Sequence, residues 1–144
     1  MKKENKIAVI GLGYVGLPLA LAFSKHYKVV GYDVNEKRVS SLQKGIDSNL
    51  DVVVSVNPNL VFSSNESAIK EANIYIITVP TPVNTENIPD LSFLKSASQL
   101  VAKYLKEEDI VIYESTVYPG VTEDFCAPIL SEISGLRYNT NFYC

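Results

Sequence analysis

The sequence predicts an α/β fold, a doubly wound parallel sheet with helices on both faces, and three observations predict it. Short β-branched apolar runs alternate with helical stretches along the chain, the pattern of strands buried by helices on either side. The first run, Ile7-Ala-Val-Ile10, leads directly into Gly11-Leu-Gly13-Tyr-Val-Gly16. The second run closes at Asp33, 22 residues after Gly11. Together these are the fingerprint of a dinucleotide-binding strand, turn and helix. The first glycine allows the tight turn, the second lets the backbone approach a pyrophosphate, and the third lets the helix lie close on the strand. The helix then offers free backbone NH groups and a positive dipole end to the phosphates.

At 144 residues, 47% hydrophobic and 20% charged, the chain is long enough for one domain with a core and short for a two-domain enzyme. A net charge of -3 without a long basic run argues against nucleic-acid binding. Lys2 and Lys3 precede an apolar run too short for a signal peptide or a membrane span, so a cytoplasmic protein is expected. Cys126, Cys144 and the lone His26 show no metal-ligand spacing, so neither a metal site nor a disulfide is expected.

Strands are expected at residues 6–10, 28–32, 59–62, 74–79 and 109–113, with a sixth starting at Phe142 where the chain stops. The first helix should run from about Val15 to His26, with Pro18 tolerated in its first turn. The second should run from Glu36 to about Lys44 and stop at Gly45. Residues 46–58 have no clear period, and Val52-Val53-Val54 fits either a short strand or an irregular crossover. Ser63 and Glu66 are spaced as a capping box for a short helix through Lys70. Asp90 can cap a longer helix whose stripe Leu94, Ala97, Val101 and Leu105 is assigned to packing. A last helix should span Thr122 to Ser134, before Gly135. The expected strand order is 3-2-1-4-5-6, with the ligand crevice at the carboxyl ends of the strands.

Candidate site residues lie at those ends. Asp33 can accept hydrogen bonds from the adenosine ribose and repel a 2′-phosphate, which favours NAD over NADP; it can equally cap the next helix together with Asn35. Lys37 and Arg38 supply cations that could receive a phosphate, although each reads as an ordinary solvated helix residue. Val79-Pro80-Thr81-Pro82 turns the chain at the mouth of the crevice, and Glu114-Ser115-Thr116 does so after the fifth strand. Both segments also suit a plain strand stop or helix cap. Cys126, in helical register with Phe125, Ile129 and Ile133, reads as a small buried residue and not a nucleophile.

Four segments, Lys6 through Pro18, Gly31-Tyr-Asp-Val34, Thr78-Val-Pro-Thr-Pro82 and Glu114-Ser-Thr-Val-Tyr-Pro-Gly120, resemble the UDP-glucose/GDP-mannose dehydrogenase family over essentially the whole chain. The likeness is greatest to the branch acting on UDP-N-acetylhexosamines, of the Vi-antigen UDP-N-acetylgalactosamine dehydrogenase type. The resemblance implies a Rossmann-type NAD-binding domain over residues 1–144, truncated near its sixth strand. It further implies oxidation of a UDP-sugar at C6 to the uronic acid in two NAD-dependent steps, for surface or capsular polysaccharides, in a full-length homodimer. Carried over by position, Tyr14 and Val15 give turn contacts to the pyrophosphate beside the cofactor-binding glycines Gly11, Gly13 and Gly16, Asp33 and Arg38 hold the adenosine end, and Thr81 and Thr116 face the nicotinamide. Thr116 also positions the catalytic water. The family's nucleophilic cysteine, lysine and asparagine belong to a later substrate domain, and neither Cys126 nor Cys144 matches that cysteine. Two other readings stand beside this one: a stand-alone NAD-binding or sensing module, and another oxidoreductase of the same fold.

Overall fold

Strand β1 (Lys6–Ile10) sends alternate side chains to opposite faces, and both faces are buried. Ile7 and Val9 join one core cluster, while Ala8 and Ile10 join the other. The structure, a computed structural model, describes residues 3–50, 52–55 and 57–144. β1 pairs in parallel with β2 (Lys28–Tyr32) on one side and with β6 (Ile74–Ile77) on the other. Outside these lie β5 (Leu60–Ser63) and β7 (Ile110–Tyr113), giving the order β5-β2-β1-β6-β7. This is the expected 3-2-1-4-5 arrangement. The sixth place is marked by the tail, where Tyr143 forms a parallel bridge with Ile110 and its carbonyl accepts from the Val111 NH at 2.8 Å.

Helices α1 (Gly16–Phe23) and α2 (Glu36–Gln43) cover one face through Leu17, Ala20, Val39 and Leu42. On the other, α3 (Ser92–Ala102) and α4 (Ala127–Ser134) pack Leu94, Ala97, Val101 and Leu130 over Tyr75, Ile77 and Val111. The stripe of α3, Leu105 included, is buried as expected. Among the described residues, no helix is long and apolar enough to cross a membrane.

Several expected elements differ in detail, each for a local reason. α1 stops three residues early because Ser24 is fully buried at its C-cap, donating from Oγ to the Leu21 carbonyl and accepting from Asn57 Nδ2 at 2.8 Å. His26 therefore lies in a turn beyond the helix. β6 ends at Ile77 because Thr78 turns its hydroxyl back to the Gly11 carbonyl at 2.7 Å. The open stretch resolves into a hairpin of β3 (Ile46–Asp47) and β4 (Val52–Val53), although Asp51 and Val56, like Lys2, lie outside the described residues. The capping box at Ser63 does not form. Asn65 is the cap, accepting from the Ser67 NH, and the helix is a four-residue 3-10 turn, Glu66–Ile69. Asp90 accepts from the Ser92 NH at the start of α3, one residue ahead of the cap position. The last helix is divided: Pro128 has no NH for the preceding turn, and Thr122–Cys126 widens into a π turn before α4.

Phe142 is fully buried against this core, its ring tilted against that of Tyr138 with centroids 5.9 Å apart, so the tail is part of the packing. Phe142→Ala is expected to destabilise the chain by about 3–5 kcal/mol. The check is urea unfolding, in which the midpoint should fall with the slope unchanged.

Candidate cofactor site

The loop between β1 and α1 is built by close approach. Gly11 adopts a φ of 101°, reached without strain only by glycine, and its NH donates to the Tyr32 carbonyl at 2.8 Å. A Cβ on Gly16 would collide with the Gly11 carbonyl oxygen and with Thr78 Oγ1. At Gly13, by contrast, a Cβ would meet nothing within 4 Å. The loop backbone is thus open to an incoming group at its centre and jammed against the fold at its end. Tyr14, 72% exposed, and Val15 stand out from the same loop, and no side chain caps the start of α1.

Between these glycines, Leu12 is held by both of its backbone polar groups. Its NH donates to Asp33 Oδ2 at 2.9 Å, and its carbonyl accepts from Arg38 Nε at 2.9 Å and Nη2 at 2.7 Å. Asp33 Oδ1 accepts from the Asn35 NH, while Asn35 itself caps α2 by accepting from the Arg38 NH. Asp33 therefore serves the turn and the loop, and Asn35 is the cap. The reading of Arg38 as a solvated helix residue is wrong: its side chain is 6% exposed, and Nη1 pairs with the equally buried Asp47. Lys37 is the exposed neighbour. Burial pushes the Asp47 carboxyl up, but the Arg38 guanidinium and the Asn49 NH outweigh it and leave it below the ordinary aspartate range.

At the carboxyl ends of β6 and β7, two hydroxyls join the neighbouring loops. Thr81 Oγ1 donates to the Thr116 carbonyl and Ser115 Oγ to the Val79 carbonyl, both at 2.7 Å. Thr81 and Thr116 are thus brought together, through a main-chain carbonyl, with the Thr116 side chain left exposed; Glu114 is exposed beside it.

A cleft of about 520 Å³ opens along this edge. Gly11, Tyr32 and Asp33 form its floor, and Phe93, Ser96 and Leu100 of α3 form its far wall. Burial, then the nearby carboxylates of Glu66 and Asp33, push the Tyr32 phenol above its ordinary value. Sequence reasoning missed Val34, which is 80% exposed, and the α3 wall. The available signal was Phe93, an aromatic beside the apolar stripe of an amphipathic helix. Cys126 is fully buried, and burial pushes its thiol up despite hydrogen bonds from Tyr113 and Ser98. A buried thiol of this kind is poorly suited to nucleophilic attack.

Residues 5–144 match the model of the UDP-glucose/GDP-mannose dehydrogenase family, NAD binding domain. The chain belongs to this family. It is 54% identical over 143 residues to the UDP-N-acetyl-D-glucosamine 6-dehydrogenase of Salmonella typhi, covering 97% of this chain and 34% of that protein. Protein CapL of Staphylococcus aureus is 45% identical over 142 residues, with coverage of 97% and 34%. The solved UDP-D-ManNAc dehydrogenase of Pyrococcus horikoshii superposes with a TM-score of 0.84 at 34% identity, over 95% of this chain and 34% of that one. The chain thus spans about a third of the length of the curated relatives it matches. The cofactor of this family's domain is NAD. The open backbone at Gly13, the uncapped start of α1 and the carboxylate of Asp33 fit it.

Two outcomes check this geometry. Gly16→Ala should cost about 1–3 kcal/mol or more through overpacking, whereas Gly13→Ala should stay within about 0.5 kcal/mol, both read by chemical denaturation. Because the Asp47 carboxyl is lowered in the folded state, its stabilisation is present above the unfolded value of about pH 4 and is lost as pH falls through the lower folded value. Asp47→Asn should therefore lose stability at neutral pH and flatten the acid limb of the stability profile.

Proposed function

We propose that this chain is the NAD-binding part of a nucleotide-sugar 6-dehydrogenase. The enzyme oxidises the C6 alcohol of a UDP-N-acetylhexosamine, or of UDP-glucose, to the carboxylate in two NAD-dependent steps. The setting proposed is cytoplasmic synthesis of surface or capsular polysaccharide, with the full-length protein a homodimer. The observation that carries the reading is the carboxyl edge of the sheet, where a glycine loop with an open centre adjoins the Asp33 carboxylate and the linked Thr81 and Thr116 loops, in a chain whose relatives bear the names of UDP-sugar dehydrogenases.

In this reading NAD, when bound, supplies the two-electron acceptor. Gly13, Tyr14, Val15 and Gly16 hold the pyrophosphate through main-chain NH groups at the positive end of α1, while Gly11, whose NH is taken by the Tyr32 carbonyl, shapes the turn beneath it. Asp33 retains free lone pairs beyond its bonds to Leu12 and Asn35, and with these it accepts the ribose hydroxyls. Arg38 acts at the adenosine end through the loop that it supports. Val34 and the α3 wall enclose the adenine. Thr81 and Thr116 flank the nicotinamide, and the Thr116 hydroxyl orients the water consumed in the second step. In this reading the sugar pocket and the thiol that retains the aldehyde stage belong to a domain outside residues 1–144.

A panel of UDP-sugars tests this. The chain alone should bind NAD+ and release no NADH with any of them, while the protein extended in frame past Cys144 should release two NADH per UDP-N-acetylhexosamine. Turnover by the chain alone, or none by the extended protein, would overturn the reading. Gly13→Ala, folded as the parent, should bind NAD+ at least about ten-fold more weakly, as expected where one close charge-assisted contact is lost.

A further inference from the structure

Asp47 lies outside the crevice, on the β3–β4 hairpin behind α2, and is 5% exposed. One of its oxygens, Oδ1, receives both Arg38 Nη1 and the Asn49 NH. With Nε and Nη2 on the Leu12 carbonyl, all three side-chain nitrogens of Arg38 are engaged and its charge is paired. Arg38 nevertheless stands in the first turns of α2, five residues after the Asp33 carboxylate that marks the ribose end. An arginine near that carboxylate is the group suited to a 2′-phosphate, because its planar fork meets phosphate with two parallel bonds. In this fold that fork points the other way, under the glycine loop.

We propose that Asp47 is a specificity-determining and positioning residue for the cofactor. By holding the Arg38 guanidinium beneath Leu12, its carboxylate withholds that buried cation from a 2′-phosphate and keeps the loop shaped for NAD. The inference rests on the reading of the crevice as an NAD site. Discrimination against NADP then has two sources. Asp33 repels the extra phosphate, and Asp47 prevents Arg38 from compensating.

The test is calorimetric titration of the 144-residue chain with NAD+ and with NADP+. Asp47→Ala is expected to lower the ratio of the NADP+ to the NAD+ dissociation constant by about ten-fold, the scale of one charge-assisted phosphate contact. Arg38→Met combined with Asp47→Ala should return the ratio to the parent's, which separates Arg38 from the exposed Lys37 and from the mere removal of an anion. Asp47→Glu should restore the parent ratio by rebuilding the pair. Should Asp47→Ala fail to fold, Asp47→Asn, which keeps the shape and an acceptor oxygen, carries the test with an expected drop of about three-fold. Equal weakening of both dinucleotides, or a ratio change that survives loss of Arg38, would overturn the proposal while leaving the NAD reading intact. A parent chain that binds neither dinucleotide would overturn both.

Discussion

The cofactor crevice depends on the immobilisation of one residue, Leu12. Its side chain is fully buried in the core under α1 and α2, its NH is bound by Asp33 and its carbonyl by Arg38. A loop of Gly-Leu-Gly would otherwise carry the backbone freedom of its glycines, and ordering it on cofactor binding would cost affinity. Fixing the residue between the glycines removes that cost in advance. The same anchorage sets where α1 begins, because Gly16 must then fit against the Gly11 carbonyl and the Thr78 hydroxyl.

The anchor itself is expensive to build. A buried guanidinium and carboxylate each lose hydration, and such a pair is stable only when nearly all its hydrogen-bonding capacity is met. Here the Leu12 carbonyl and the Asn49 NH complete the set. The β3–β4 hairpin meets that need by delivering Asp47 to Arg38. At the opposite wall, α3 does two jobs with neighbouring faces. Leu94 and Val101 are buried in the core, while Phe93 and Ser96 turn to the cleft.

Much of this was legible in the chain. β1 and β2 span the residues expected of them, 6–10 and 28–32, and the stripe of α3 is buried as its period implies. The glycine loop and Asp33 could be read because each depends on a local property: a φ only glycine adopts freely, a helix N-terminus, an acid closing a strand. Two of the errors fall where a distant partner outweighed the local preference: α1 was cut short by Asn57 reaching Ser24, and Arg38 was taken from solvent by Asp47 and Leu12. The third was a local competition, in which Ser63 lost the cap to Asn65 two residues on.

What the sequence by itself determined was the parallel sheet, its order around a glycine-rich first turn and the carboxyl edge along which the cleft opens. Periodicity and backbone chemistry are written in neighbouring residues, so no knowledge of packing is needed to read them. Only the tertiary structure decided which way the Arg38 fork points, that Thr81 meets Thr116 through a carbonyl, and that α3 walls the cleft. These are contacts between residues up to 35 positions apart or on separate elements. Their geometry comes into being only when the sheet and helices close on one another.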